Sequence, residues 1–221
     1  MSRLRNLSLF LVLAAVWGSA FVAIKAGLAY FPPVLFAAFR FDVAGLVMLS
    51  YAAYAVDDPV PRGRDQWLEV VSGAVFIIAA YHAFLFVGET DPAVTSGVAA
   101  VIVSLSPLLT TVFARAFLPS ERLTAVGALG LGIGLVGAVV LANPDPANLT
   151  GGGTVAKLLV LLAAASFALG SVLSRASEAD IPIETMEAWS MLLGAGIIHV
   201  VALALGESVA DAVWTTQSLL A

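Results

Sequence analysis

The chain has 221 residues, 61% hydrophobic and 11% charged, with a mean hydropathy of +1.01 and a net charge of −5. A soluble domain carries about 45–50% apolar and about 25% charged residues, which excludes a soluble globular enzyme; the hydrophobicity also excludes a disordered chain. The acidic balance argues against nucleic acid as a partner. With 0 Cys there is no disulfide, thiolate or cysteine-type zinc chemistry.

Only helices and closed barrels span a bilayer, because backbone polar groups must be satisfied internally. A barrel shows alternating polarity over strands of about 10 residues. Here Leu158 to Ala165 runs unbroken and apolar, without alternation. The chain is therefore expected to be all-α, a polytopic membrane protein with about seven transmembrane helices of roughly 20 residues each.

The first expected span is 7–29. Arg3 and Arg5 precede it, and Gly18-Ser19-Ala20 fits a signal-peptide cleavage site. The apolar run continues to Lys25 and further spans follow, so the segment reads as a span. Trp17 sits in its middle and is expected to face protein or a cavity. Pro32-Pro33 ends this segment. The second span, 34–56, carries Arg40 and Asp42. These are two residues apart, so they point to different faces and do not pair along the helix. The third, 68–88, carries Tyr81 and His82, with Tyr81 equally readable as core or as a substrate platform. Glu89-Thr90-Asp91-Pro92 reads as a tight turn.

The fourth span, 93–117, places Gly97, Ala100, Ser104, Pro107 and Thr111 on one small, partly polar face. Pro107 frees the carbonyl of Val103. That face suits either exposed backbone facing a substrate or close helix packing. The fifth, 123–142, holds Gly127, Gly130, Gly132, Gly134 and Gly137, and Gly130/Gly134 form a packing pair. Asn143 to Gly153 is a linker and the expected boundary between two units, 1–145 and 146–221. It contains a sequon, Asn148-Leu149-Thr150. The sixth span is 155–176. Pro182 separates it from the seventh, 185–206, which carries His199. Glu184 and Glu187 mark its first turn, where the helix dipole favours carboxylates; a proton-coupling role for Glu187 is the alternative.

Arg3, Arg5, Arg62, Arg64, Arg115, Arg122 and Arg175 fall on one side if the spans alternate, which places the N-terminus in the cytoplasm. A shift of 150 positions lays Trp17 on Phe167, Lys25 on Arg175, Pro32 on Pro182 and Phe39 on Trp189. Literal identity is low; the order of features is what repeats. A five-span unit is odd, so its second copy is inverted in the membrane. The expected architecture is one five-helix repeat plus the first two helices of an inverted second one.

These residues resemble a known family. Trp17-Gly18-Ser19 with Phe21 and Lys25 is similar to the first helix of EamA-type transporters of the drug/metabolite transporter superfamily. So is the Pro-Pro turn leading into Phe36-Ala37-Ala38-Phe39-Arg40-Phe41. Ser106-Pro107-Leu108 with Arg115, then Glu121-Arg122-Leu123-Thr124, resembles the fourth helix and following turn, and the Gly-rich fifth helix also fits. Phe167 stands where the family often has Trp. The resemblance implies ten helices in two inverted halves and movement of small metabolites across the cytoplasmic membrane. It also implies that this chain lacks helices eight to ten and is C-terminally incomplete.

Ionisable groups inside a span are costly and point to function. Arg40, Asp42, His82 and His199 share a depth of about 9–12 Å, which suits a polar vestibule. The bland alternative is snorkelling and His side chains that cap carbonyls. The candidate substrate-binding set is Trp17, Arg40, Asp42, Tyr81, His82, Ser104, Pro107 and His199. No catalytic constellation, cofactor site or metal spacing is expected. The expected partners are the lipid bilayer and a small-molecule substrate, with a homo- or hetero-oligomer that completes the helix set. The function expected is secondary transport of a small organic metabolite by alternating access. The alternative is a half-transporter that acts as a partner subunit or is inactive alone.

Overall fold

The computed structural model describes residues 3–118, 124–142 and 152–216. The Glu121-Arg122-Leu123 turn, the linker up to Gly151 with its sequon, and the apolar end at Ser218–Ala221 lie outside the described residues. The described residues are helical, in the order α1 (Arg3–Gly27), α2 (Pro33–Ala55), α3 (Gly63–Glu89), α4 (Ser96–Phe117), α5 (Ala125–Ala142), α6 (Gly152–Ala176) and α7 (Ile183–Ala204). A short 3-10 turn, Val209–Asp211, follows. Among the described residues, six helices are long and apolar enough to cross a membrane: α1 to α4, α6 and α7. The fifth expected span is an apolar helix of 18 residues. Leu4, Leu9, Phe10, Val22, Leu46, Val47 and Ile133 are all more than half exposed. Water does not tolerate so large an apolar face, but lipid does. The chain is a polytopic helical membrane protein.

Proline starts two of the helices in the same way. Pro32 precedes α2 with φ −55° and ψ 135°, and Pro182 precedes α7 with φ −57° and ψ 136°. In each case the proline carbonyl accepts the first helical bond, from Phe36 at 2.9 Å and from Met186 at 3.0 Å. The first amides of α2 find a partner from far along the chain. The Glu207 carboxylate, just beyond α7, accepts from Val34 N at 3.2 Å and Leu35 N at 2.7 Å. A carboxylate there also meets the positive end of the helix dipole.

The central helix is α3, which packs on α2, α6 and α7. Its start lies earlier than expected, at Gly63, and its middle, Gly73–Ala80, is a π-helical stretch. Widened turns leave backbone carbonyls poorly paired, and neighbours supply donors. Ser166 Oγ donates to Phe76 O at 2.9 Å, and His82 Nδ1 lies 2.8 Å from Ile78 O, which requires the Nδ1–H tautomer. Small residues let the helices approach this stretch. A Cβ on Gly194 of α7 would sit 2.4 Å from Ile78, and one on Gly170 of α6 would sit 2.6 Å from Ile77.

The expected Pro107 kink is a break in α4 at Ser104-Leu105. The freed Val103 carbonyl does not stay open, because Ser106 Oγ donates to it at 2.7 Å. The paired glycines of α5 part company. Gly134 faces Leu108, which a Cβ would meet at 2.9 Å, while Gly130 has nothing within 4 Å.

Candidate functional site

The polar groups gather at the end of the bundle where α1, α3 and α7 finish and α2 and α4 begin. Lys25, at the end of α1, donates to the backbone carbonyls of Glu89, of Asp91 at 3.2 Å and of Val94 at 2.9 Å. One ammonium thus holds the whole α3–α4 turn. The segment after α7 folds back on the same end, with Val213 N donating to Tyr30 O at 2.8 Å.

Arg40 and Asp42 do point to different neighbours. Asp42 Oδ2 lies 2.8 Å from His199 Nε2 and joins α2 to α7; both side chains keep over a third of their surface exposed. Arg40 turns toward α3 and places its guanidinium 5.5 Å from the ring centre of Phe86. Its Nη1 is buried and has no hydrogen-bond partner. The four groups expected to share one vestibule therefore divide between two faces of α2: Asp42 with His199, and Arg40 beside His82, which bonds to Ile78 O and packs on Phe86 at 6.2 Å between ring centres.

Aromatic rings connect the two faces. Trp17 meets Phe167 edge-on at 6.4 Å, Phe167 meets Tyr81 at 5.5 Å, and Tyr81 meets His82 at 4.5 Å. His82 lies 4.3 Å from Phe41. On the other side of α2, Phe39 joins His199 at 5.8 Å and Trp214 at 6.0 Å, and Trp214 reaches Phe31 at 5.2 Å. Phe31 and Phe36 stack at 5.2 Å, and Phe36 closes the path to Phe86 at 5.5 Å. Trp17 keeps 58% of its surface exposed, so one edge faces protein and the rest does not. Ser104 and Pro107 stand at exposed positions of α4, apart from this path, and Ser104 Oγ donates locally to Val101 O at 2.6 Å. The buried hydroxyl of that break belongs to Ser106.

The residue that sequence reasoning missed is Glu89. It is fully buried, and neither carboxylate oxygen has a hydrogen-bond partner. Lys25, Arg40 and Tyr81 lie within its electrostatic reach. Thr90-Asp91-Pro92 made it look like part of a turn. Helical spacing held the signal: Tyr81, Leu85 and Glu89 follow at intervals of four, and all three are buried. Among the described residues, no group of three or more His, Asp or Glu side chains is placed to hold a metal ion.

The opposite end of the bundle carries Arg62, Arg64 and Arg175 and is cross-linked by side-chain hydrogen bonds. Glu69 of α3 accepts from Ser174 and Ser177 Oγ, each at 3.0 Å. Trp189 Nε1 of α7 donates to Pro59 O at 2.8 Å, and Ser190 Oγ donates to Val70 O at 3.1 Å.

One end cross-linked by hydrogen bonds and one polar, aromatic-lined end, on helices interrupted in α3 and α4, characterise this polytopic helical membrane protein. The sequence profile of the EamA-like transporter family matches residues 5–143, and the chain belongs to that family. It is 33% identical to a transporter of Archaeoglobus fulgidus over 61% of this chain and 46% of the other. A WAT1-related chloroplastic protein of Arabidopsis thaliana is 33% identical over 80% of this chain and 42% of its own. The inner membrane transporter YedA of Escherichia coli K12 is 31% identical over 85% of this chain and 58% of its own. The chain thus spans about half the length of these relatives. A crystal structure of 27% identity superposes with a TM-score of 0.65, over 92% of this chain and 67% of that one.

Proposed function

We propose that this chain forms the substrate-handling part of a secondary transporter that moves a small organic metabolite across the cytoplasmic membrane by alternating access. The observation that carries this reading is the gathering of ionisable and aromatic side chains at one end of a membrane-embedded bundle. Side-chain hydrogen bonds clasp α3 to α6 and α7 at one end, while Arg40, Asp42, His199 and the aromatic path stand at the other. The named relatives are transporters, which supports the same reading. Within it, Trp17, Arg40, Asp42, Tyr81, His82 and His199 line the substrate path. Ser104 and Pro107, apart from the aromatic path, would meet substrate only at the break in α4.

The inverted-repeat organisation, with units 1–145 and 146–221, is part of this proposal. The matching proline entries of α2 and α7, and the contact between the pseudo-equivalent Trp17 and Phe167, support it. So does the packing of α2 against α7, the second helices of their units. The N-terminus is placed in the cytoplasm on the positive-inside distribution. Because the chain spans 42–58% of these three relatives, a second reading has it working with a partner chain, of the same or another sequence, that supplies further helices.

The test is flux. The purified chain in proteoliposomes is expected to release or take up members of a labelled metabolite panel, and Arg40→Ala is expected to abolish that flux. Intact flux in Arg40→Ala removes Arg40 from the path. No flux by the chain alone, with flux restored by a co-reconstituted relative, selects the partner reading.

A further inference from the structure

Glu89 and Arg40 carry the largest unexplained polar cost in the described residues. A buried carboxylate without a hydrogen-bond donor is strongly unfavourable as an anion. Both Glu89 oxygens are in that position, and Arg40 Nη1, on the facing helix, is a buried donor without an acceptor. The two charges feel each other, yet no hydrogen bond joins them. Each of the other charged or titratable groups near Glu89 has contacts of its own, and none of them donates to its carboxylate. Lys25 of α1 donates to three carbonyls and keeps its charge, which acts on Glu89 together with that of Arg40. His82 bonds to Ile78 O, and Asp91 Oδ1 accepts from Ala93 N at 2.8 Å. Tyr81 packs against His82 and Phe167. Where α6 packs on the end of α3 at Gly88, the nearest groups are the Ala156 carbonyl and the Val160 side chain; Lys157 on that turn has an interaction of its own. Beyond α7, Glu207 is held by the α2 amides.

This arrangement has two ways to be satisfied. A deprotonated Glu89 is held by the positive charges of Lys25 and Arg40. A protonated Glu89 is neutral, and Arg40 Nη1 is then free for another anion. We propose that Arg40 is shared between Glu89 and an anionic group of the transported molecule, so that Glu89 takes up one proton as that anion binds and returns it as the anion leaves. The balance is simple: the carboxylate and a solvent proton become a carboxylic acid, and the guanidinium keeps its charge throughout while exchanging one anionic partner for another. The ligand class follows: a small organic anion, carboxylate or phosphate. This rests on the transport reading and names its coupling ion and substrate charge.

The test is infrared difference spectroscopy on the purified chain in lipid nanodiscs across a pH titration. The wild type is expected to show the carbonyl stretch of a buried carboxylic acid, absent in Glu89→Gln. Arg40→Gln is expected to bind that proton at least about tenfold more tightly, since an opposite charge beside a carboxylate shifts its proton affinity by that order, while Arg40→Lys stays near wild type. A band that survives Glu89→Gln, or a midpoint indifferent to Arg40→Gln, overturns the site. At fixed pH, acetate, lactate and phenylacetate are added in turn. At least one is expected to raise the band in the wild type and none in Arg40→Gln. No rise with any of the three overturns the anion exchange. A chain that titrates at Glu89 yet carries no flux, alone or with a co-reconstituted relative, sinks the transport reading and leaves the proton site standing.

Discussion

Asp42 and Arg40 stand two residues apart on α2 and serve different neighbours, one bound to His199 on α7 and the other above Phe86 on α3. The Asp42–His199 pair is half-exposed, and pairs of that kind contribute at most about 1 kcal/mol. A double-mutant cycle of Asp42→Asn and His199→Gln, read by thermal unfolding in detergent, is expected to give a coupling of about 0.5–1 kcal/mol. Strictly additive losses would mean that the pair does not bind α2 to α7. Glu207 does more for stability, because its carboxylate satisfies two helix amides and the dipole together. Glu207→Ala is expected to cost about 0.5–2 kcal/mol, the usual value of a lost N-terminal cap. An unfolding midpoint equal to the wild type would show that water replaces the carboxylate at no cost.

Among the elements, α3 does most to position the site. Its π-helical stretch is wedged between Gly170 and Gly194, and its two ends reach the clasp and the buried Glu89. Adding a methyl at Gly194 forces Ile78 to move, at a cost of about 1–3 kcal/mol. Gly196, two residues on and on the opposite side of the helix with nothing within 4 Å, is expected to gain up to about 1 kcal/mol from the same change, since alanine is the better helix former. Equal effects of Gly194→Ala and Gly196→Ala on the unfolding midpoint would deny the close approach. The clasp makes an accessibility prediction. The chain has 0 Cys, so Ser190→Cys reports on that end without background. It is expected to react slowly with a maleimide, and several-fold faster when Glu69→Ala removes the acceptor of Ser174 and Ser177. A rate unmoved by Glu69→Ala would mean that the hydrogen bonds do not hold the end shut.

For the whole molecule, the distribution of Lys and Arg sets the expected direction in the membrane. Asp57→Cys and Thr90→Cys, exposed at opposite ends of the bundle, are expected to differ in intact cells. An impermeant maleimide should label Thr90→Cys directly and Asp57→Cys only after permeabilisation. The reverse pattern would invert the topology and put the end that carries Arg62 and Arg64 outside.

The sequence by itself determined that this protein is helical and lives in a bilayer. Long apolar runs have no other stable home, and proline and glycine mark where the runs must turn. It also determined that Arg40 and Asp42 serve different faces, because two residues span about 200° of a helix. The tertiary structure decided the rest. It satisfied the Val103 carbonyl with Ser106, placed Ser104 and Pro107 at exposed positions, and split the expected vestibule across α2. It also turned Glu89 from a turn residue into a buried carboxylate. Periodicity fixes which residues share a face. Which helix that face meets, and whether a partner stands there to accept or donate, depends on contacts between residues far apart in the chain, and no local pattern records those.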